Sequence, residues 1–368
     1  MMDRNKREHF SGCLLCGAAG DALGQPVEFK DREEITGEYG PDGILEMVPG
    51  EEGLYKITDD TQMTLFTAEG LLRAWTTARQ SGGVPDFAGA VRHSYLCWLK
   101  TQGETPAISY PGTCCDGWLL AVEGMHRRRA PGATCLSALR EGTLSDNGIV
   151  NNTSKGCGGV MRAAPVGLLA ARINTGNSAG TARKAFEIGC ATAALTHGHP
   201  SGYYPAGVLA AVIATIINGG SIEEGIYISL GLLDGRIGSM ETIAAIRSAL
   251  DLWQLDRFKQ SYNSVESLGV GWTGEEAVSI GLYCALAAGE DLVRGLRMAV
   301  NHSGDSDSTG AITGNILGAL LGEQAIPHDW LNQLELVDVI RQVGNDLFTS
   351  YEGTESWLKS YPLMQVSL

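Results

Sequence analysis

Apolar residues recur at helical spacing along most of this chain. Runs with apolar positions three and four apart fall near residues 9–23, 59–80, 84–100, 116–128, 157–172, 179–197 and 203–218, and continue at 240–258, 275–288, 290–300, 307–322 and 330–347. Strand signals are nearly absent. Only GILEMV at 43–48 alternates, within a stretch rich in Gly and Pro. No Pro/Ser-rich linker, block of like charge or low-complexity tract divides the chain. The pattern therefore predicts an all-α fold in which residues 1–368 form a single compact multi-helix domain of a dozen or more helices joined by functional loops.

Glycine sharpens this picture. The chain has 49 glycines in 368 residues, roughly twice the usual share of about 7%, and many sit inside helical runs. Gly310, Gly314, Gly318 and Gly322 fall on every fourth position, which strips one helix face of side chains and predicts a neighbouring backbone in close contact.

Charge and cysteine usage narrow the partners. A net charge of −15 argues against a nucleic-acid partner, which would need a basic surface. The one basic run, HRRRAPG at 126–132, reads as a solvated helix end. Nine cysteines include Cys13-x-x-Cys16 and the adjacent Cys114 and Cys115, with no spacing typical of zinc ligands, and they suit a reducing cytosol. The N-terminus imitates a secretory leader, but Asp21 interrupts its apolar run, so it is expected to be the first helix of the fold. No run of about 18 apolar residues stands out as a membrane span. A cytoplasmic location with no membrane partner is expected.

Two acidic stretches carry the candidate chemistry: KITDDTQM, around residue 60, and NHSGDSDSTGAITG, from Asn301. Each precedes a helix-like run. Thr58 is a good N-cap and acids favour a first turn, so either stretch alone is accounted for as a solvated helix start. If the two converge, Asp59, Asp60, Asp305 and Asp307 repel one another and need a counter-charge. Carboxylate and hydroxyl oxygens without His or Cys are hard ligands, suited to Mg²⁺ or Mn²⁺. Ser308 and Thr309 add donors, and five or six oxygens are enough for a binuclear site.

These residues resemble the ADP-ribosylglycohydrolase family. The matching blocks are GAAGDALGQPVEF, ITDDTQMTLFTAEGLLRA, RAPGATCLSAL, SKGCGGVMRAAPVGL, LTHGHPSGYYPAG, GWTGEEAVSIGLYCAL and AVNHSGDSDSTGAITGNILGALLG, which together cover nearly the whole chain. The resemblance places two Mg²⁺ or Mn²⁺ ions on Thr58, Asp59, Asp60, Asp305, Asp307 and Ser308, with Asp307 bridging. It implies hydrolysis of the bond between C1″ of a distal ribose and an acceptor nitrogen, most simply the guanidinium of an ADP-ribosylated arginine, through an oxocarbenium-like transition state. Glu28, Asp60 and Asp307 are the catalytic candidates, and Asp59 also has an oxygen that could accept a proton. Gly156, Gly158 and Gly159 precede a helix-like run whose N–H groups could cradle phosphate. His197 matches a family residue near ribose and phosphates, while His199 suits a structural turn. Trp272 is either an adenine platform or a core residue.

There are departures from the family pattern. Ala133 stands where the family has Asn, Ala130 where some members have Asp, and Ser303 where Gly is expected. GDSDST, with Ser308 as a competent ligand, is the form associated with arginine-specific members. The expected partner is an ADP-ribosylated protein. Two other roles fit the same fold: an immunity protein against an ADP-ribosylating toxin, and a non-catalytic, crystallin-like member.

Overall fold

The computed structural model describes residues 4–50, 52–107, 115–142, 144–145, 147–174, 176–255 and 262–364. Helices run from Arg7–Gly24 to Glu355–Ser360, and among the described residues strand pairing is limited to three isolated bridges, at Tyr55 with Leu334, Leu144 with Val150 and Gly156 with Thr273. The chain is all-α, as its periodicity predicts.

The expected strand at 43–48 does not form. Gly43 at its start is left-handed, with φ +75°, and its hydrogen-bond partner is a side chain. The Ile44 N–H donates to Asn301 Oδ1 at 2.8 Å, and Asn301 Nδ2 donates to the Ile44 carbonyl at 2.8 Å. One amide thus satisfies both backbone groups that a strand would offer to a neighbour.

Where helix prediction erred, local chemistry explains it. The run at 116–128 becomes two 3₁₀ turns, Trp118–Ala121 and Glu123–His126. The basic residues that follow are ion-paired: Arg127 with Glu52, Arg128 with Glu104, and Arg129 with the buried Glu335. HRRRAPG is therefore a pinned loop and not a solvated helix end. The run at 157–172 starts as a 3₁₀ turn at Cys157–Gly159 and becomes α-helical only at Ala164–Ile173, with Pro165 in its first turn. The run at 330–347 divides into His328–Gln333 and Val337–Thr349 at Leu336, whose φ is +58°. Arg32–Tyr39, Ala133–Glu141, Ile222–Leu233 and Glu355–Ser360 are additional helices that the apolar spacing did not indicate.

One hydrophobic core runs from Phe10 to Tyr361, with a small satellite around Val265, Ile280 and Tyr283. Cys13 and Cys16 lie buried in it as free thiols. Cys114 lies outside the described residues. The Pro200–Ile217 helix corrects the expectation about membrane-length runs: at 18 residues and mean hydropathy 1.4 it is long and apolar enough to span, but 89% of it is buried inside the protein. It is the central core helix.

The glycine stripe finds its neighbour at the other end of the chain. The Ser306–Leu321 helix packs antiparallel on Arg7–Gly24. A Cβ on Gly310 would overlap the Gly20 carbonyl, one on Gly314 the Cys16 carbonyl, and one on Gly318 the Gly12 carbonyl. Backbones that touch along three turns leave little play between the helices. The seam brings Asp21, near the end of the first helix, to the start of the Ser306–Leu321 helix, where Asp305 and Asp307 lie.

Candidate metal centre and substrate cleft

Asp21 joins the two acidic stretches. It is fully buried, and its carboxylate accepts from the Thr58 N–H at 3.0 Å, the Thr61 N–H at 3.2 Å and Thr61 Oγ1 at 2.5 Å. It therefore binds the N-terminus of the Asp59–Ser81 helix, where free N–H groups and the helix dipole favour an anion. Thr58 caps the same helix by accepting from the Asp60 N–H at 3.2 Å. Asp59 and Asp60 line the same cleft as Asp305 and Asp307, so the two stretches converge.

The remaining donors are fixed by short local contacts. Asp59 Oδ2 accepts from the Gly132 N–H at 3.1 Å, which ties the PGATC loop to the cluster. Asp307 Oδ1 accepts from the Ser308 N–H at 2.9 Å. Cys157 Sγ donates to Asp305 Oδ2 at 2.7 Å and lies 3.8 Å from Ser308 Oγ. Asp60 Oδ2 is buried and has no partner. Thr309 does not contribute to the cluster, because its hydroxyl donates to the Ala299 carbonyl at 2.7 Å, facing His302.

Burial drives every one of these acids upward in pKa. Asp59 is pushed up to about 8 and Asp21 to about 7, and Asp60, Asp305 and Asp307 also rise. For Asp60 the next causes are all neighbouring carboxylates: Asp307, Asp59, Asp21 and Asp305. Glu28, half-buried across the cleft, is pushed up to about 10 by burial and then by Asp307, Asp305 and Asp59. An added cation would relieve the repulsion in such a crowded group of buried acids.

Among the described residues, no three His, Cys, Asp or Glu side chains are already drawn together as a metal cage. The donor set nonetheless fits a hard divalent ion. Its atoms are carboxylate and hydroxyl oxygens, and the unpartnered Asp60 Oδ2 offers a lone pair that nothing in the protein uses.

The cleft above the cluster has a volume of about 320 Å³, within the range of small-molecule sites. Glu28, Asp59, Asp60, Asp305, Asp307 and Ser308 line it, together with Gly156, Gly158, His197 and Trp272. Thr58 and Gly159 stand behind this lining. Gly159 is packed so closely on Gly202 that a Cβ would lie 2.5 Å from the Gly202 carbonyl. In the glycine loop, the Gly156 N–H already donates to Ser154 Oγ and the Cys157 N–H to the Trp272 carbonyl. His199 is the helix cap its position suggests, accepting at Nδ1 from the Ser201 N–H at 3.1 Å. Ala130, held at φ +49°, and Ala133 both line the cleft. Ser303 lies outside its lining and hydrogen-bonds Glu266 and the Arg32 N–H. Trp272 is no core residue: it is 38% exposed, and Phe29 stacks on it.

Four participants were not singled out from sequence. Asp21 carried a signal, since a lone acid in an apolar helix needs partners. Cys157 and Phe29 were indistinguishable from packing residues. Arg162, buried beneath the cleft, has no sequence signal beyond its place in the SKGCGGVMR stretch.

The fold and site together define an all-α protein with a closely packed helix seam beneath an oxygen-lined acidic cleft of small-molecule size. The chain belongs to the ADP-ribosylglycohydrolase family, whose model matches residues 2–356. It is 24% identical to the ADP-ribosylhydrolase ARH3 of Bos taurus, over 89% of this chain and 88% of that one. It is likewise 24% identical to the ADP-ribosylarginine hydrolase Tri1 of Pseudomonas putida (strain GB-1), over 92% of this chain and 77% of that one. A solved structure titled ADP-ribosylglycohydrolase-related protein complex superposes with a TM-score of 0.63 at 22% identity, covering 95% of this chain and 99% of its own. The fold is shared with that structure.

Proposed function

We propose that this protein is a Mg²⁺- or Mn²⁺-dependent hydrolase that removes mono-ADP-ribose from modified proteins, with arginine as the preferred acceptor. The observation that carries the reading is the convergence of Asp59, Asp60, Asp305 and Asp307 in one cleft, with Asp60 Oδ2 buried and unused. Thr58, Asp59, Asp60, Asp305, Asp307 and Ser308 would hold two ions, Asp307 serving both. When bound, these ions supply charge neutralisation and Lewis acidity toward the ribose hydroxyls and water. Asp21 and the helix seam hold the ligand carboxylates in register. Glu28, across the cleft and with a raised proton affinity, can hold a proton and pass it to or from the reacting groups, and a free oxygen of Asp60 or Asp307 is the other acceptor within the cleft. Trp272 offers an aromatic surface at the mouth for the adenine.

Arginine is favoured on two grounds. The GDSDST form resembles arginine-specific members, and the relative named ADP-ribosylarginine hydrolase aligns over nearly the whole chain. An acidic cleft on a protein of net charge −15 attracts a cationic acceptor, while a neutral serine ether gains nothing from the field. The described cysteines are all free, which agrees with a reducing cytoplasm.

The test is release of free ADP-ribose from arginine-linked and serine-linked proteins, with Mg²⁺ and with EDTA. Faster release from arginine, abolished by EDTA, is expected. Equal rates on both linkages would overturn the acceptor preference. No release from either would leave a binding or crystallin-like role.

A further inference from the structure

Arg162 is 1% exposed, and no carboxylate lies within ion-pair distance of it among the described residues. Its guanidinium lies 4.2 Å over the Tyr95 ring, Nη1 points at Met63 Sδ and Cys135 Sγ, and Nη2 donates to Thr196 Oγ1 at 2.5 Å. A guanidinium stays charged and can only donate. Thr196 Oγ1 must therefore accept from Arg162, and its own single proton must go to another acceptor.

Two acceptors lie within hydrogen-bond reach. The Ala193 carbonyl is 3.4 Å away and already accepts the Thr196 and His197 N–H groups, both at 3.1 Å. His197 Nδ1 is closer, at 2.9 Å, and has no other partner. Cys135 Sγ, also nearby, is a weak acceptor. The shorter contact assigns the hydroxyl proton to His197 Nδ1, since 2.9 Å is a normal hydrogen-bond length and 3.4 Å to the Ala193 carbonyl is at its limit, and the ring proton then sits on Nε2. That nitrogen faces the glycine loop, where a Cβ on Gly156 would lie 3.2 Å from it and one on Gly158 3.3 Å from it. Burial and the charge of Arg162 depress the pKa of His197 to about 3, so the ring is neutral.

We propose that Arg162 and Thr196 are positioning residues that fix His197 as its Nε2–H tautomer, a neutral donor aimed into the cleft at a substrate oxygen that can only accept, such as a phosphoryl oxygen. The recognition half of this proposal rests on the function proposed above. The tautomer half does not. Gly156 and Gly158 then have a steric task, which is to leave that N–H uncovered. His197 is excluded as a general base toward substrate, because its lone pair is turned inward onto Thr196.

The test is long-range ¹H–¹⁵N correlation on protein labelled at histidine, with the His197 signals identified by their loss in His197→Asn. Wild type should show a pyrrole-type Nε2 and a pyridine-type Nδ1. Thr196→Val keeps the shape and removes the hydroxyl, so it should mix the tautomers and weaken ADP-ribose binding, read by calorimetry, about tenfold, the size of a lost hydrogen bond to a charged group. Thr196→Ser should restore both. A wild-type Nδ1–H ring, or an unchanged signature in Thr196→Val, would overturn the positioning role. If wild type keeps the expected tautomer but does not bind ADP-ribose, the substrate reading fails and the positioning pair stands. If Thr196→Val does not fold, the wild-type spectrum decides.

Discussion

Phe29 stacks on Trp272 across the mouth of the cleft, with ring centroids 5.0 Å apart and planes 23° apart, although the two residues are far apart in sequence. Phe29 directly follows Glu28 and is held at φ +68°, while its N–H donates to the Gly304 carbonyl at 3.2 Å. A left-handed phenylalanine is strained by about 1–2 kcal/mol. The strain is held in place by the stack, worth about 0.5–1.5 kcal/mol, and by the Gly304 bond. Phe29→Ala should lose the stack and keep the strain, while Phe29→Gly loses both. Thermal melts should therefore rank Phe29→Gly above Phe29→Ala by about 1 kcal/mol, with both reducing turnover because Glu28 is less well held. Equal melts would mean that the backbone there is unstrained.

The acidic cluster makes metal and mutation act in opposite directions. Without divalent ions, Asp307→Asn removes one of the crowded charges and should raise the melting temperature relative to wild type. With millimolar Mg²⁺, wild type should gain stability as RT ln(1 + [Mg²⁺]/Kd), and the variant should gain little. Calorimetry should count about two ions on wild type. A wild-type melt indifferent to Mg²⁺ and Mn²⁺ would remove the metal assignment.

Gly314→Ala and Gly231→Ala should have effects of opposite sign. A methyl at Gly314 would overlap the Cys16 carbonyl in the seam, and separating two packed backbones should cost about 3 kcal/mol. Gly231 lies exposed in the Ile222–Leu233 helix with nothing within 4 Å of a Cβ, so alanine there should add about 0.5–1 kcal/mol by helix propensity. Urea denaturation of the two variants would test both signs.

Glu69 gives the protein a pH dependence separate from the cleft. It is buried beside Gly117, its Oε2 has no partner, and burial raises its pKa from 4.5 to about 8. Below pH 4.5 the group is protonated in both folded and unfolded chains and its contribution is fully present. Between about 4.5 and 8 only the unfolded chain ionises, so stability falls as pH rises, and the loss is complete above the folded pKa. Glu69→Gln should flatten this decline, by an amount on the order of a few kcal/mol at pH 9. The difference between variant and wild-type urea midpoints from pH 5 to pH 9 is the measurement. A difference that does not change with pH would show that the carboxyl ionises freely.

The sequence revealed more of the acidic cleft than of its support. Asp59, Asp60, Asp305, Asp307 and Ser308 were legible as oxygen donors because each stretch places them at a helix start, and the fold brings these five to one cleft, with Thr58 capping the helix behind it. Asp21 was not legible as their link, because its partners, Thr58 and Thr61, lie far along the chain. Arg162 and Thr196 escaped notice because a buried cation resting on sulfur and an aromatic ring has no sequence pattern. GILEMV looked like a strand because its apolar residues alternate, and it is half-buried. That its partner would be the amide of Asn301 could not be read from alternation.

The glycine seam also bears on how the molecule is made. Gly12 and Gly20 leave the ribosome early, but the surfaces they fit, at Gly318 and Gly310, are translated near the end. Until then the first helix has a bare backbone face and Asp21 has no acidic partners from the start of the Ser306–Leu321 helix. The acidic cluster is therefore completed only after most of the chain has been synthesised, and a nascent chain stalled before residue 310 would leave the bare backbone face of its first helix uncovered.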